Sequence, residues 1–276
     1  MMDTYAIFLD VDGTLTDWKG RIPESAKVAI KQARKNGHYV FLSTGRCKAE
    51  LYDSILDIGF DGIIGSSGGY IEYEGEVLRH YTFDNQKITE LRKYFEAHKI
   101  GYYLECNHGM YVNKLYKDWS KEFFASMDLD DDLKQFDETL KLVTDSDVVK
   151  DVNKISFVCL DNNYDDIYAD LYQDYDVIQN TIPSMRNVAG EISLKGVHKA
   201  DAIQLLLNHL NLDVKTIGIG DSDNDIEMLQ HCDIGVAVNS GKDSIKAIAD
   251  EITDAPEEDG IYKCFVKHKI IESEGK

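Results

Sequence analysis

Short apolar runs that alternate with helical patterns constrain the fold of this chain more than any other feature of its sequence. The first run, Tyr5–Leu9, is continuous, too short for a helix and followed by turn residues, which predicts a buried strand. A helical pattern over residues 23–35 starts at a proline and ends at Asn36-Gly37, and a second strand is predicted at Tyr39–Leu42. Strands that alternate with helices predict a parallel sheet with right-handed crossovers, and therefore an α/β fold.

The same alternation returns near the C-terminus. Here the pattern again gives short apolar strands separated by helices, so that both ends of the chain are predicted to contribute to one sheet. The predicted elements are a helix at Ala202–Leu210, a strand at Thr216–Ile219, a helix from Asp225 to Leu229, a strand at Ile234–Val238 and a helix at Ser244–Ala249.

The middle of the chain has a different character. Residues from about Asp84 to Met185 are rich in tyrosine and acidic side chains, with hairpin-like pieces at Tyr102–Glu105 and Met110–Asn113. We therefore predict a discontinuous core domain of residues 1–83 and 187–276, with a second α/β domain of residues 84–186 inserted into it. The two crossings, near Thr82–Gln86 and Ser184–Gly190, would form a hinge. The inserted domain is predicted to contain helices at Ile88–His98 and Asp165–Tyr172 and a strand at Ile155–Leu160.

The charge of the chain excludes some classes of partner. Its 50 acidic and 30 basic side chains give a formal net charge of −20. A surface this acidic repels phosphate backbones and anionic lipid headgroups, which argues against nucleic acid or a membrane as the main partner. A small anion stays compatible with this charge, because a metal ion or a few cations in one cleft reverse the local field.

The chain's N-terminal segment and cysteines indicate a cytoplasmic protein. No signal peptide is visible in the opening residues, and no run approaches the roughly 18 apolar residues that a membrane-spanning helix needs. The cysteines are odd in number, far apart and without C-x-x-C spacing, so we predict reduced thiols rather than disulfides or a zinc site. They are Cys47, Cys106, Cys159, Cys232 and Cys264.

Two acidic motifs follow predicted strands, and the carboxyl ends of parallel strands are where ligands bind in such sheets. Asp10 and Asp12, followed by Gly13, can place one carboxylate as a nucleophile and the other as a proton donor, although an Asx-Gly turn is the alternative. The segment Gly218–Asp225 places three aspartates and an asparagine in its last five residues. Their mutual repulsion predicts a hard divalent cation such as Mg²⁺, with a polar helix-capping loop as the alternative.

Two further segments offer groups that bind anions. In Ser43-Thr44-Gly45-Arg46, a hydroxyl and an unhindered glycine N–H at a strand end can form a small anion cradle, although a helix N-cap is an equal alternative. Lys195 and Lys199 precede the predicted helix at residue 202. A lysine in the first turn of a helix opposes the macrodipole at a cost of up to about 1 kcal/mol, which makes it a candidate for a functional role, with a solvated lysine as the alternative. We select Lys199, because the helix N-terminus should direct it at the cleft.

In chain order, the motifs D-x-D-G-T, S-T-G-R, a lone lysine and G-D-S-x-N-D resemble those of the haloacid dehalogenase (HAD) superfamily of phosphotransferases. The resemblance spans nearly the whole chain. Insertion of a domain between the second and third motifs is similar to the Cof-type subfamily with a C2 cap. The resemblance implies a Rossmann-like core with a parallel sheet, an inserted α/β cap domain, and Mg²⁺-dependent hydrolysis of phosphate monoesters.

The resemblance also implies roles for individual residues. Asp10 would attack phosphorus and form an aspartyl-phosphate, and Asp12 would protonate the leaving alcohol and later deprotonate water. Thr44 and the Gly45 N–H would hold phosphoryl oxygens, with Lys199 neutralising charge there and on Asp10.

The implied metal ligands come from both acidic motifs. Mg²⁺ would bind the Asp10 carboxylate, the Asp12 backbone carbonyl and Asp221. Asp225 would fix the metal through water or by orienting its neighbours. Asn224 would orient Lys199 or a phosphoryl oxygen.

The chain departs from many relatives at two places that adjoin the expected cleft. It has Ser66-Ser67-Gly68-Gly69-Tyr70 where they carry Asn-Gly-Ala, and Asn239-Ser240-Gly241 where they often carry Asn-Ala. Neither change touches the expected catalytic residues, and both lie at the rim of the cleft that would receive the substrate.

We expect substrate specificity to reside in the cap. Candidates to meet the leaving group are His108, Tyr111, Trp119 and Arg186. Packing within the cap is the favoured alternative for the aromatic residues, and a hinge or surface position is an equal alternative for Arg186 and for Arg46.

Three other functions use the same motifs. A phosphomutase would return the phosphoryl group to a second hydroxyl, and a receiver-like signalling module would keep it on the aspartate to control a partner. A catalytically idle sugar-phosphate binder is the third. Asp12 and the large inserted domain argue against the signalling module, and the complete set of motifs argues against the idle binder. Release of free phosphate without a bisphosphate activator would exclude the mutase. We expect a phosphatase whose partner is a small phosphorylated metabolite. Sugar phosphates are the first expectation, with flavin mononucleotide or pyridoxal phosphate behind them, and we expect a monomer or a weak homodimer.

Overall fold

The computed structural model of the protein describes residues 3–125, 136, 138–144, 147–161, 163–180, 185 and 187–273. Its strands are β1 (Tyr5–Leu9), β2 (Tyr39–Ser43), β3 (Gly62–Gly65), β4 (Tyr70–Tyr73), β5 (Glu76–His80), β6 (Ile100–Cys106), β7 (Gly109–Val112), β8 (Leu140–Leu142), β9 (Val152–Cys159), β10 (Tyr175–Gln179), β11 (Ala189–Leu194), β12 (Lys215–Gly220), β13 (Ile234–Val238) and β14 (Glu251–Thr253).

The α-helices with described bounds are α1 (Glu24–Lys35), α2 (Asp53–Leu56), α3 (Asn85–Ala97), α4 (Lys114–Ala125), α5 (Tyr164–Leu171), α6 (Lys199–Leu210), α7 (Ile226–His231), α8 (Asp243–Lys246) and α9 (Gly260–Lys267). Short 3₁₀ turns lie at Lys48–Glu50, Ser66–Gly68, Asp223–Asp225 and Pro256–Glu258.

The chain forms two compact units. The first comprises Met1–Arg46, Leu51–Arg79 and His198–Lys276, and the second comprises Cys47–Glu50 and His80–Val197. Each unit contains its own sheet, with eight strands in the first and six in the second.

The sheet of the first unit has the order β14-β13-β12-β1-β2-β3-β4-β5. From β14 to β3 every neighbouring pair is parallel, and β4 pairs antiparallel with β3. This arrangement places β1 between β2 and β12, so the chain segments that leave these three strands start side by side.

Alternate side chains of β1 pack on opposite faces of this sheet. Ile7 and Leu9 belong to a core that also contains buried residues of α1 and α9, whereas Ala6 and Phe8 pack with buried residues of α6 and α7. Because both faces are covered by helices, the strand is apolar along its whole length, as expected for a central parallel strand.

The second unit has a mainly antiparallel sheet with the order β10-β11-β9-β6-β7-β8. The exception is the β7–β8 pair, which is parallel. Phe95 of α3 and Ile167 of α5 pack on Leu104 and Ile155 in one core. Tyr116 of α4 belongs to a separate core that also contains Val158 of β9.

The predicted α/β fold class is confirmed, as are the predicted strands of the first sheet. The predicted helix at Ala202–Leu210 begins three residues earlier, at Lys199. The side chain of His198 accepts a hydrogen bond from the Asp201 N–H at 3.2 Å and so caps this helix, a role that we did not assign to a histidine.

The units change at positions that differ from the predicted domain boundaries. The predicted boundary after residue 186 places residues 189–194 in the core domain, but this segment is β11, which pairs with β9 and β10. The sequence of this segment could not show which sheet it joins, because the pattern of a strand does not identify the strands with which it pairs. Residues 47–50 also pack in the second unit, where Cys47 lies in one core with Met110. The roles of the two units as core and cap stay a prediction.

Among the described residues, no helix has both the length and the apolar character that crossing a membrane requires.

Candidate active site

The acidic motifs meet where three adjacent strands end. Asp10 directly follows β1, Thr44 follows β2 and Asp221 follows β12. The Asp10 N–H continues the strand pairing by donating to the Ile219 carbonyl at 3.0 Å. Because β1 is hydrogen-bonded to both other strands, the parallel sheet itself brings these loops together.

The loop after β1 turns around one carbonyl oxygen. The Val11 carbonyl accepts hydrogen bonds from the N–H groups of Leu15 and Thr16, each at 2.9 Å. Gly13 has a φ of +79°, and a Cβ at this position would lie 2.6 Å from Oδ2 of Asp221. Glycine is therefore needed here both for its backbone conformation and for the close approach of a site carboxylate.

Lys199 lies between two aspartates. Its Nζ donates to Oδ1 of Asp10 at 2.6 Å and also to Oδ1 of Asp225, and its side chain is 0% exposed. Lys195 is different: it belongs to the second unit and donates to the Gln173 carbonyl at 2.8 Å. Of the two candidate lysines, the structure thus brings Lys199 to Asp10.

Asp225 is oriented by its own loop. Its Oδ2 accepts hydrogen bonds from the N–H groups of Asp221, at 3.1 Å, and Ser222, at 3.2 Å, while its Oδ1 pairs with Lys199. Asn224 accepts a hydrogen bond from the Ser222 hydroxyl at 2.8 Å. The carboxylates of Asp10 and Asp225 therefore orient Lys199. A role for Asn224 toward a phosphoryl oxygen stays a prediction.

Burial and mutual repulsion raise the pKa values of two site carboxyls. Burial raises the pKa of Asp10 well above its ordinary value, and the charge of Asp225 raises it further against the opposing effect of Lys199. Burial, followed by the charge of Asp225, raises the pKa of Asp221 to about 7. For Lys199, burial lowers the pKa, but the charges of Asp10 and Asp225 outweigh it and raise the pKa on balance. The site thus holds more negative charge than its lysine compensates.

The donor set fits a hard divalent cation. Asp10, Asp221 and Asp225 each offer a carboxylate oxygen, and these oxygens lie within 4.8 Å of one another. Oδ1 of Asp221 is buried and has no hydrogen-bond partner among the described residues. Burying a carboxylate oxygen without a partner is costly, and oxygen ligands are those that Mg²⁺ prefers.

The loops after β2 and β3 are held to each other by backbone hydrogen bonds. The Ser67 N–H donates to the Thr44 carbonyl at 3.0 Å, and the Ser66 N–H donates to the Arg46 carbonyl at 2.8 Å. Thr44 is fully buried and Gly45 is half-buried. This places the predicted anion cradle on a supported turn.

Sequence reasoning missed the special geometry of the Ser66–Gly68 turn. Ser66 and Ser67 have φ values of +49° and +54°, and Gly68 has a φ of +107°. A Cβ on Gly68 would lie 2.4 Å from the His198 carbonyl, at the start of the helix that carries Lys199. The two glycines in this segment were the available signal, and they mark a close approach between the turn and α6.

Sequence reasoning also missed the partner of Asp12. For Arg46 the sequence leaves contact with an anionic substrate and a hinge or surface position as equal alternatives. In the structure its Nη2 donates to Oδ1 of Asp12 at 2.6 Å and its Nε donates to Oδ2 at 2.9 Å. The two residues lie 34 positions apart, and no pattern in the sequence links them.

Three of the four candidate specificity residues, His108, Tyr111 and Trp119, lie in the second unit. Tyr111 is on β7, with its ring centroid 5.5 Å from that of His108. Trp119 stacks on Phe123 at 4.8 Å and packs against a buried core, as the alternative interpretation expected. Arg186 lies outside the described residues.

Known proteins are similar to this chain over nearly its whole length. The family model for haloacid dehalogenase-like hydrolases matches residues 7–265. The chain is 24% identical over 283 residues to the phosphatase YwpJ of Bacillus subtilis (strain 168), covering 96% of this chain and 99% of YwpJ. It is 26% identical over 274 residues to the 5-amino-6-(5-phospho-D-ribitylamino)uracil phosphatase YitU of the same organism, covering 95% and 96%.

A solved structure of a HAD subclass IIB sugar phosphatase is also similar. It superposes with a TM-score of 0.78 and 26% sequence identity, covering 97% of this chain and 100% of that protein.

Proposed function

The chain belongs to the haloacid dehalogenase-like hydrolase family and is a phosphoric monoester hydrolase, and from that premise we propose that it transfers the phosphoryl group of a small phosphate monoester to Asp10, with Mg²⁺ as its cofactor, before releasing phosphate. The observation that carries this proposal is the contact of 2.6 Å between Lys199 and Asp10, beside the carboxylates of Asp221 and Asp225. It places one buried ammonium group against the nucleophile of the proposed reaction.

Asp10 acts in the first step of the proposed mechanism. Its carboxylate oxygen forms a bond to phosphorus while the bond from phosphorus to the ester oxygen breaks. Asp12 gives its proton to that departing oxygen, so that the alcohol leaves uncharged. Lys199 stabilises the negative charge on the transferred phosphoryl group and on Asp10.

Asp12 acts again in the second step. It is now a carboxylate and takes a proton from water, whose oxygen attacks the phosphorus of the aspartyl-phosphate. The bond between phosphorus and the Asp10 oxygen breaks, which restores Asp10 and releases phosphate. Thr44 and the Gly45 N–H hold the phosphoryl oxygens, which fixes the group in line with both attacking atoms.

The residues that would hold Mg²⁺ are Asp10, Asp221 and the backbone carbonyl of Asp12, with Asp225 orienting the loop. When bound, the ion neutralises charge on the carboxylates and on the phosphoryl oxygens, so that a phosphate dianion can enter an acidic site.

The proposed substrate is a phosphate monoester of a polyhydroxylated carbon chain. One similar protein is named for 5-amino-6-(5-phospho-D-ribitylamino)uracil and another is named a sugar phosphatase, which supports this class without selecting one compound. We propose that the inserted unit acts as the cap that contacts the leaving group, with His108 and Tyr111 as its candidate contacts.

We propose the cytoplasm as the compartment of this enzyme. All five cysteines are free and buried, and burial raises the pKa values of Cys232 and Cys264 to about 12. Thiols of this kind are unreactive structural residues, and unpaired cysteines are typical of a reducing environment.

Removal of divalent cations tests the proposal directly. With a panel of sugar phosphates as substrates, we expect phosphate release in Mg²⁺ to fall to background in EDTA and to return when excess Mg²⁺ is added, because four acidic side chains otherwise repel the substrate. Release is measured without a bisphosphate activator, which a phosphomutase would require. Undiminished turnover in chelator would refute the metal requirement.

The stability of the metal-free protein should fall as pH rises from about 4 to about 7. The pKa of Asp221 is raised to about 7 in the folded protein, so between the ordinary value of 3.8 and this value the folded state binds more protons than the unfolded state. Urea unfolding in EDTA at several pH values measures this slope.

Asp221→Asn is the matched control for the pH dependence. It removes the titrating group, so the pH slope should become shallower, and Mg²⁺ should lose most of its stabilising effect. A slope that is unchanged in this variant would contradict the assignment of the titration to Asp221.

A further inference from the structure

Asp12 and Arg46 form a bidentate ion pair two residues along the chain from Asp10, the proposed nucleophile. Both oxygens of Asp12 accept a hydrogen bond from the guanidinium group, at 2.6 and 2.9 Å. Arg46 is the more buried partner, with a side chain 19% exposed against 61% for Asp12. A bidentate arginine fixes both the position and the plane of a carboxylate, which a single contact does not do.

The backbone of Arg46 is fixed on both sides. Its N–H donates to Oγ1 of Thr44 at 3.1 Å, and its carbonyl accepts from the Ser66 N–H at 2.8 Å. The guanidinium group therefore extends from a supported position in the proposed phosphate cradle. Asp12, by contrast, is the exposed member of the pair, and the guanidinium group contacts both of its carboxylate oxygens.

The charges around Asp12 make such a partner necessary. The Asp12 carboxylate repels both Asp10 and Asp221, and Lys199 is engaged by Asp10 and Asp225. Arg46 supplies a positive charge on the Asp12 side of this acidic group. Its attraction opposes the repulsion that favours turning the Asp12 side chain away from Asp10 and into solvent.

We infer that Arg46 is a positioning residue that holds Asp12 where it exchanges protons with the leaving group and with water. This inference rests on the proposed function, in which Asp12 is the acid and base. As the ester bond breaks, the proton passes from the Asp12 carboxyl to the alcohol oxygen and leaves a carboxylate. Arg46 contacts both oxygens of Asp12, so it keeps the side chain in one place and one plane through both proton transfers.

The test compares leaving groups that do and do not need a proton. For Arg46→Gln, we measure kcat/KM in saturating Mg²⁺ with two substrates: a sugar phosphate, whose leaving group is an alkyl alcohol, and p-nitrophenyl phosphate. This constant reports the steps up to loss of the alcohol. General acid catalysis contributes about 10²–10⁴-fold, so we expect a loss of about 30-fold for the alkyl ester. The p-nitrophenyl ester should change little, because p-nitrophenolate leaves without protonation.

Three further variants support the comparison. Arg46→Lys keeps the charge and one hydrogen bond, so it should recover part of the activity on the alkyl ester. Arg21→Gln breaks a different arginine–aspartate pair, with Asp17 in the loop after β1, and should leave the ratio of the two kcat/KM values unchanged. In an Asp12→Asn background, Arg46→Gln should not change that ratio further, because the two residues act as one unit.

Equal losses of kcat/KM for both esters would overturn the inference and identify Arg46 as a phosphate-binding residue. A ratio that changes further in the Asp12→Asn background would also overturn it. Failure of the proposed function is distinct, because the unmodified protein would then release no phosphate from either ester.

Discussion

Asp10→Asn should abolish phosphate release while leaving the protein folded. In the proposed mechanism the Asp10 carboxylate forms the bond to phosphorus, and an amide at this position cannot do so; we expect a loss of about 10⁴-fold or more in kcat. The measurement is phosphate release from the best substrate of the panel, in saturating Mg²⁺, with protein concentration high enough to detect a residual rate.

The fold should survive this substitution because the Asp10 charge does not stabilise the metal-free protein. Burial and the charge of Asp225 raise the pKa of Asp10 against the opposing effect of Lys199, so its ionised form is less favourable in the folded state than in the unfolded state. Asparagine keeps an oxygen that can accept the hydrogen bond from Lys199. In EDTA, the denaturant midpoint of Asp10→Asn should therefore equal or exceed that of the unmodified protein.

Asp243→Asn is the control for Asp10→Asn. Asp243 is a fully exposed aspartate at the start of α8, and it pairs with Lys246 on the surface. Its substitution removes the same charge from the chain without touching the site, so activity should be unchanged. If Asp10→Asn retained more than a few per cent of the activity, another residue would have to be the nucleophile.

The sequence predicts the loops of this site better than the contacts within them. Asp10, Thr44 and Asp221 follow strands that are apolar along their length, and a parallel sheet places the ends of such strands together. The alternation pattern is local, so it can be detected in windows of a few residues. That is why the strands β1, β2, β12 and β13 and the three loops were predicted from the sequence.

Contacts between distant residues could not be predicted in the same way. Lys199 and Asp10 are 189 positions apart, and their contact depends on the point at which α6 begins. That point is determined by the His198 cap and by the close approach of Gly68, neither of which has a periodic signal. The Arg46–Asp12 pair and the membership of β11 in the second sheet were missed for the same reason.

Lys199→Met should destabilise the protein more than other single substitutions in the site. Lys199 is fully buried and pairs with Asp10 and Asp225, so its removal leaves two buried carboxylates without their cation. Breaking a buried ion pair by removing one partner costs about 3–5 kcal/mol in the free energy of unfolding. Urea unfolding in EDTA measures this loss. Activity in Mg²⁺ should also fall, by about 10²–10³-fold, because the transferred phosphoryl group loses a positive charge.

The pH dependence separates this electrostatic cost from a simple loss of packing. Lys199 lowers the pKa values of Asp10 and Asp221 in the folded state, so both should rise without it. The loss of stability should therefore be larger at a pH of about 8 than at about 5, on either side of the pKa of about 7 that Asp221 has when Lys199 is present. At the lower pH the carboxyls can take up protons instead, and the loss should be smaller.

Lys195→Met is the matched control, because Lys195 contacts a backbone carbonyl in the second unit and its substitution should affect neither stability nor activity. A loss of stability that is the same at both pH values would show that Lys199 contributes through packing of its side chain, and its placement as the cation of this site would then be wrong.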